Sequence, residues 1–141
     1  MQDPTRVSSL IFTALLSGQL ALLAFAVMFE RSVPPMEDVS AEVLFAITVF
    51  ILISGVSAGH FLGLRLLEQA RTLPVEEDRL TAGLRAMIVR MALLESVGVL
   101  PIVFYLFTGE SAFLWLFGVA LVALLFKKPS DTEWDSLRRG N

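Results

Sequence analysis

Cysteine is absent from the chain, which excludes disulfides, thiol nucleophiles and thiolate metal sites. Histidine occurs once, at His60, and the carboxylates are scattered, so no metal-ligand spacing is present and no cofactor is expected. Neither a Ser–His–Asp set nor a pair of aspartates lies within an apolar stretch, and a lone His60 with Glu95 is too little for an active site. The reading is therefore non-enzymatic, with no nucleic-acid partner. Charge is also scarce: 18% of residues are charged, against about a quarter in soluble domains. The formal net charge of -3 carries little information, because the charges sit almost entirely between the apolar blocks.

What the chain has in abundance is apolar length. Of its 141 residues 55% are hydrophobic, and the mean hydropathy is +0.72. The apolar residues fall into four blocks, which predict an all-α, four-transmembrane-helix bundle over residues 1–128, with spans at about 7–29, 43–67, 83–107 and 111–126. The first block is too long for a signal-peptide core and no small-x-small cleavage site follows it, so it reads as a retained helix. Asp3-Pro4 is an N-cap followed by proline in a first helical turn. Glu30–Ser40, with Pro34-Pro35, is an external loop. Pro74 followed by Glu76, Glu77 and Asp78 places the start of the third helix in water, with acids over the positive end of its dipole. Residues 129–141 form a tail in which Ser130 and Glu133 match a capping box and Trp134 and Leu137 share one side; a short interfacial helix and a frayed segment are both compatible with it.

Nine basic residues (Arg6, Arg65, Arg71, Arg79, Arg85, Lys127, Lys128, Arg138 and Arg139) fall on one side of the four spans and Arg31 on the other. The positive-inside rule then predicts a multi-pass protein of the inner (plasma) membrane with both termini cytoplasmic. Ala14-Leu15-Leu16-Ser17 and Ala92-Leu93-Leu94-Glu95 match between the first and third spans. Two duplicated helical hairpins would leave that pattern, and so would chance in leucine-rich helices.

The third span carries the chemistry that is out of place. Arg90 and Glu95 lie inside it, and an ionised group at mid-bilayer costs roughly 2.5–3.5 kcal/mol on insertion scales. Ala92 and Gly98 stand three residues before and after Glu95, so a second helix can approach its face closely. In the second span Gly55, Gly59 and Gly63 recur at every fourth position, a small-xxx-small packing stripe. At a rise of ~1.5 Å per residue, Ser17, Ser57 and Glu95 lie roughly 15 Å from the basic boundary, with His60 and Arg90 shallower. Gln19, Ser54 and Ser96 fall within a few turns of them. Two readings follow. In one, Glu95 carries a proton that His60 relays; in the other, these residues are a polar network that holds helices together, with Glu95 paired to Arg90 or His60. Arg90 is five residues before Glu95, about 140° around the helix, which disfavours a pair within the helix and points its stem towards the basic side. Pro101 leaves the Val97 carbonyl without its helical donor and predicts a bend there. Tyr105 and Trp115 read as interface anchors.

The segment Gly55–Phe107 resembles the hairpin of ATP synthase membrane subunit c: Gly55, Ala58, Gly59 and Gly63 match its small-residue helix, Ala70-Arg71-Thr72-Leu73-Pro74 its polar loop with one inserted residue, and Ala92-Leu93-Leu94-Glu95 its carboxylate segment. The whole chain, with a helix on each side and the KKPSDTEW tail, resembles a family of small four-helix bacterial membrane proteins of unassigned function. The resemblance implies an ion-binding role at Glu95, proton transport, and partners that are the lipid bilayer and either further copies of the chain or other membrane subunits. Departures from the rotor subunits are the carboxylate in the third helix rather than the last, and Arg90 in the carboxylate helix. A structural or assembly subunit without transport activity is the alternative expectation.

Overall fold

The computed structural model describes residues 3–29 and 40–140; Arg31 and the Pro34-Pro35 loop lie outside the described residues. Among the described residues there are five helices and no strand: α1 Pro4–Phe29, α2 Ala41–Arg71, α3 Glu76–Thr108, α4 Ala112–Phe126 and α5 Asp131–Arg139. Their ends follow from local chemistry. Asp3 Oδ1 accepts from the Thr5 amide at the start of α1, and Ser40 Oγ accepts from the Val43 amide at the start of α2. The first turn of α3 holds Glu76, Glu77 and Asp78. That helix stops at Gly109, whose φ of 69° lets its amide reach back to the Tyr105 carbonyl.

Helices α1, α2 and α3 are long and apolar enough to cross a membrane. At 33 residues α3 is about 50 Å long, more than a hydrocarbon core of roughly 30 Å, so its acidic first turns extend beyond the apolar zone. The 15-residue α4 is about 22 Å long and falls short of that thickness. Only together with α5, to which it is bent by 41°, is it long enough to cross.

Helix α3 is the hub, packing against α1, α2, α4 and α5. Its side towards α2 meets the glycines of that helix. A methyl group on Gly55 would strike Val97 Cγ2, one on Gly59 would touch Leu94, and one on Gly63 would lie 2.9 Å from Arg90 Cδ. The small-residue stripe is thus occupied within the chain, where it brings the α2 and α3 backbones together. On another side Gly98 accommodates Gln19 of α1, whose Nε2 would be 2.7 Å from an added Cβ. Helix α4 buries Phe113, Phe117, Ala120 and Leu124, one stripe at helical spacing, and leaves Trp115 80% exposed. Tyr105, read from sequence as an interface anchor, is instead buried with Phe113 and Phe117 beside Pro101–Ile102. Trp115 keeps an outward position.

The tail forms a short helix with Trp134 and Leu137 on one side, one of the two alternatives its sequence allows, and that helix, α5, docks on the basic ends of α2 and α3. Its capping box is complete, with Ser130 Oγ accepting from the Glu133 amide and the Glu133 carboxylate accepting from the Ser130 amide. Trp134 and Leu137 are fully buried in the same cluster as Met87, Met91 and Leu124. Leu137 fits into the space left by Gly83, where any Cβ would strike its Cδ1. Arg79 closes the far end of α5, donating to the carbonyls of Leu137 and Arg138 and, from the same guanidinium, to those of Leu73 and Pro74. Gly83→Leu is expected to undock α5 and to speed tryptic cleavage at Arg138 and Arg139 roughly tenfold, as an overpacking cost of about 1–3 kcal/mol implies. Helical content measured by circular dichroism should stay near wild type. Gly118→Leu, at a glycine with nothing within 4 Å of the added carbon, should leave the cleavage rate unchanged.

Candidate functional site

The sequence singled out two ionisable residues of α3, and they have opposite environments. Arg90 is only 4% exposed. Its guanidinium makes a two-pronged ion pair with Glu133 of α5, Nη1 to Oε1 at 2.8 Å and Nη2 to Oε2 at 3.1 Å, and Nη2 also donates to the Lys127 carbonyl at 3.1 Å. Arg90 Nε is buried without an acceptor. The stem does run towards the basic side, but it ends on a carboxylate inside the protein rather than in water. Arg90, one of the two partners considered for Glu95, is thus engaged by Glu133 instead.

Glu95 is partly exposed, and among the described residues no hydrogen bond or ion pair reaches its carboxylate. Only its backbone carbonyl is engaged, accepting from Gln19 Nε2 at 3.2 Å. Gln19 itself is 1% exposed, with Oε1 left without a donor. His60 turns to the α4–α5 junction, where its Nδ1 lies 2.9 Å from Lys127 Nζ. An ammonium can only donate, so Nδ1 accepts and the ring proton of His60 sits on Nε2. Among the described residues no hydrogen bond joins His60 to Glu95.

The remaining polar candidates do not converge either. Ser17, Ser54, Ser57 and Ser96 are all exposed on the outside of the helices. The Ser96 hydroxyl bonds back to the Leu93 carbonyl of its own helix. Ala92 is exposed whereas Gly98 is buried against Gln19, so the two small neighbours of Glu95 face different surroundings. Among the described residues no group of three His, Cys, Asp or Glu side chains is placed to hold a metal ion. What the fold assembles instead is a linkage at the basic end, Arg90–Glu133 with the Lys127 carbonyl and His60–Lys127 beside it, flanked by Arg71, whose Nε donates to Ser136 Oγ at 3.1 Å.

Sequence reading passed over Glu133 as an ion-pair partner and Arg79 as a clamp. The capping box was a signal for Glu133, since it fixes that carboxylate at the third helical position, facing back along α5. Burial alone would push the Glu133 carboxyl up, but the Arg90 guanidinium, the Ser130 amide and the charge of Arg71 together hold it below the ordinary carboxylate range. A folded-state value below the unfolded one stabilises the docked tail above the ordinary carboxylate range, and this is lost as pH falls through the lowered value.

Acidification below about pH 4 should therefore release α5, read as a change in Trp134 fluorescence in a Trp115→Phe background, with little change between about pH 5 and 8. Glu133→Gln, which strands the buried guanidinium, is expected to destabilise the docked state by roughly 3 kcal/mol at neutral pH. Combining Arg90→Leu with Glu133→Leu should recover most of that loss, because the desolvation cost of both charges disappears. Thermal unfolding in detergent compares the three proteins.

No family model, curated protein or solved structure matches the chain.

Proposed function

We propose that the chain is a non-enzymatic integral membrane protein that works by associating with further transmembrane helices, through the α1–α3 side that carries Glu95. The observation that carries this reading is the unpartnered carboxylate. In lipid an ionised carboxyl near mid-span costs roughly 2.5–3.5 kcal/mol, so a group left without an internal partner favours a donor supplied by another helix. The adjoining surface suits close approach: Ser17 and Ser96 are exposed, and nothing lies within 4 Å of a carbon added at Gly18. The glycine stripe of α2, by contrast, already faces α3 and is not free for a second chain. In this reading α4 is a fourth, short span whose Lys128 reaches the headgroups, and the clustered basic residues favour both termini in the cytoplasm of a bacterial inner membrane. The partner is a second copy of the chain or another membrane subunit.

A second reading, proton handling at Glu95 in the manner of subunit c, is favoured by the same carboxylate, because a group without a fixed cationic partner can both take up and release a proton.

The absence of native cysteine makes site-directed cross-linking direct. In native membranes Ser96→Cys is expected to cross-link to a partner, whereas Val122→Cys on the exposed side of α4 should not. Adding Glu95→Leu to Ser96→Cys should reduce the cross-linked fraction roughly tenfold, the equivalent of one interhelical hydrogen bond of about 1–2 kcal/mol. Equal cross-linking at both positions, or no loss with Glu95→Leu, removes the association reading. Proton flux into liposomes that Glu95→Gln abolishes would establish the second reading; flux absent from wild type would eliminate it.

A further inference from the structure

A cavity of about 540 Å³ opens between the first turns of α1 and the α4–α5 junction, lined by Thr5, Ser9, Lys128, Asp131, Thr132 and Trp134 among others. It belongs neither to the Glu95 surface nor to the Arg90–Glu133 linkage. Among its described lining residues are one cation and one anion that form no ion pair with a described residue: Lys128, whose Nζ makes a cation–π contact with the Phe12 ring at 6.0 Å from its centroid, and Asp131. Ser9 and Thr132, both exposed, line the same cavity. Trp134, 1% exposed, has its indole N–H buried with no acceptor. The cavity sits where the apolar zone ends: Phe126, 82% exposed, precedes the two lysines, and Leu10, 63% exposed, follows Ser9. With the apolar helices read as spans, that depth is where lipid phosphates meet the acyl chains.

We propose that this cavity is a binding site for a phospholipid headgroup that carries both a phosphodiester and a primary amine. Lys128 and the hydroxyls receive the phosphate oxygens, and Asp131 receives the ammonium. A purely anionic headgroup would meet the Asp131 carboxylate, and a purely cationic ligand would meet Lys128, so a zwitterion is the ligand that satisfies both. A quaternary amine has no N–H to donate to a carboxylate, which selects phosphoethanolamine over phosphocholine. A soluble phosphoethanolamine compound shares the same chemistry, and the test separates the two sources.

Full-length protein released from detergent micelles into a native mass spectrometer, after incubation with phosphatidylethanolamine, phosphatidylglycerol or phosphatidylcholine, reads the site. Phosphatidylethanolamine adducts should survive preferentially. Lys128→Gln should reduce them roughly tenfold, as expected for losing a charge-assisted hydrogen bond. Asp131→Asn should remove the preference for phosphatidylethanolamine over phosphatidylglycerol, and Arg85→Gln, on the α2–α3 side of the molecule, should change nothing. Equal adducts for all three lipids, or adducts unaffected by both Lys128→Gln and Asp131→Asn, overturn the proposal. Soluble glycerophosphoethanolamine binding as tightly as the lipid overturns the lipid assignment. The result does not depend on whether Glu95 contacts another helix.

Discussion

A guanidinium removed from water must be given a carboxylate, and that requirement organises one end of this protein. Arg90 sits inside α3 at a depth where an isolated charge is costly, and it cannot be neutralised by shifting its proton equilibrium. Its pair with Glu133 therefore ties a polar nine-residue helix to an apolar bundle. The other features of the basic end support that linkage. Gly63 leaves space for the Arg90 stem, Gly83 leaves space for Leu137, and Arg79 holds the last carbonyls of α5. A pair of this kind contributes more to geometry than to net stability, since two leucines would serve nearly as well energetically. Its effect is to fix where the tail sits, and with it where Trp134 and Asp131 stand.

The two ends of the bundle are built on different physics. Near the basic end the core is closed by hydrogen-bonded charge: Arg90, Glu133 and the His60–Lys127 contact. Towards the opposite end it is closed by rings, with Phe113 edge-on to both Phe45 and Phe104 above Ile102. Pro101 lies between, buried within the continuous helix α3, where its missing N–H leaves the Val97 carbonyl without its helical donor. Glu95 falls between these closures, on the periphery. A titratable group can stay there without collapsing either core.

Apolar length and capping chemistry made the helices legible in the sequence. The acids at Glu76–Asp78 marked the start of α3, and Ser130 with Glu133 marked α5. Three-dimensional pairing was less legible, for a specific reason. Helical periodicity gives the face of a residue on its own helix but not the neighbour opposite that face. Gly55, Gly59 and Gly63 announced a close contact without saying that it was with α3 of the same chain. Ser17, Ser57 and Glu95 share a depth, yet depth is one coordinate and azimuth is the other. Arg90 was the clearest case: its nearest acid in sequence was Glu95, five residues on, while its actual partner is 43 residues away in a segment whose composition reads as solvent-exposed.

That misreading has a physical lesson about tails of small membrane proteins. A segment such as Asp131–Arg139 looks too polar to belong to the fold, because polarity is judged against water or lipid as the alternatives. Here it meets a third environment, the exposed backbone and buried charge at the ends of other helices. Helix ends present unpaired carbonyls and amides that water normally satisfies. A short amphipathic helix can cover them, bury Trp134 and Leu137 beneath it, and neutralise Arg90 in one placement. Once docked, it also supplies one wall of the cavity with Thr5 and Ser9 of α1. The polar surface around Lys128 and Asp131 therefore exists only because α5 is held in place, so the geometry of that cavity depends on a charge buried in the neighbouring helix.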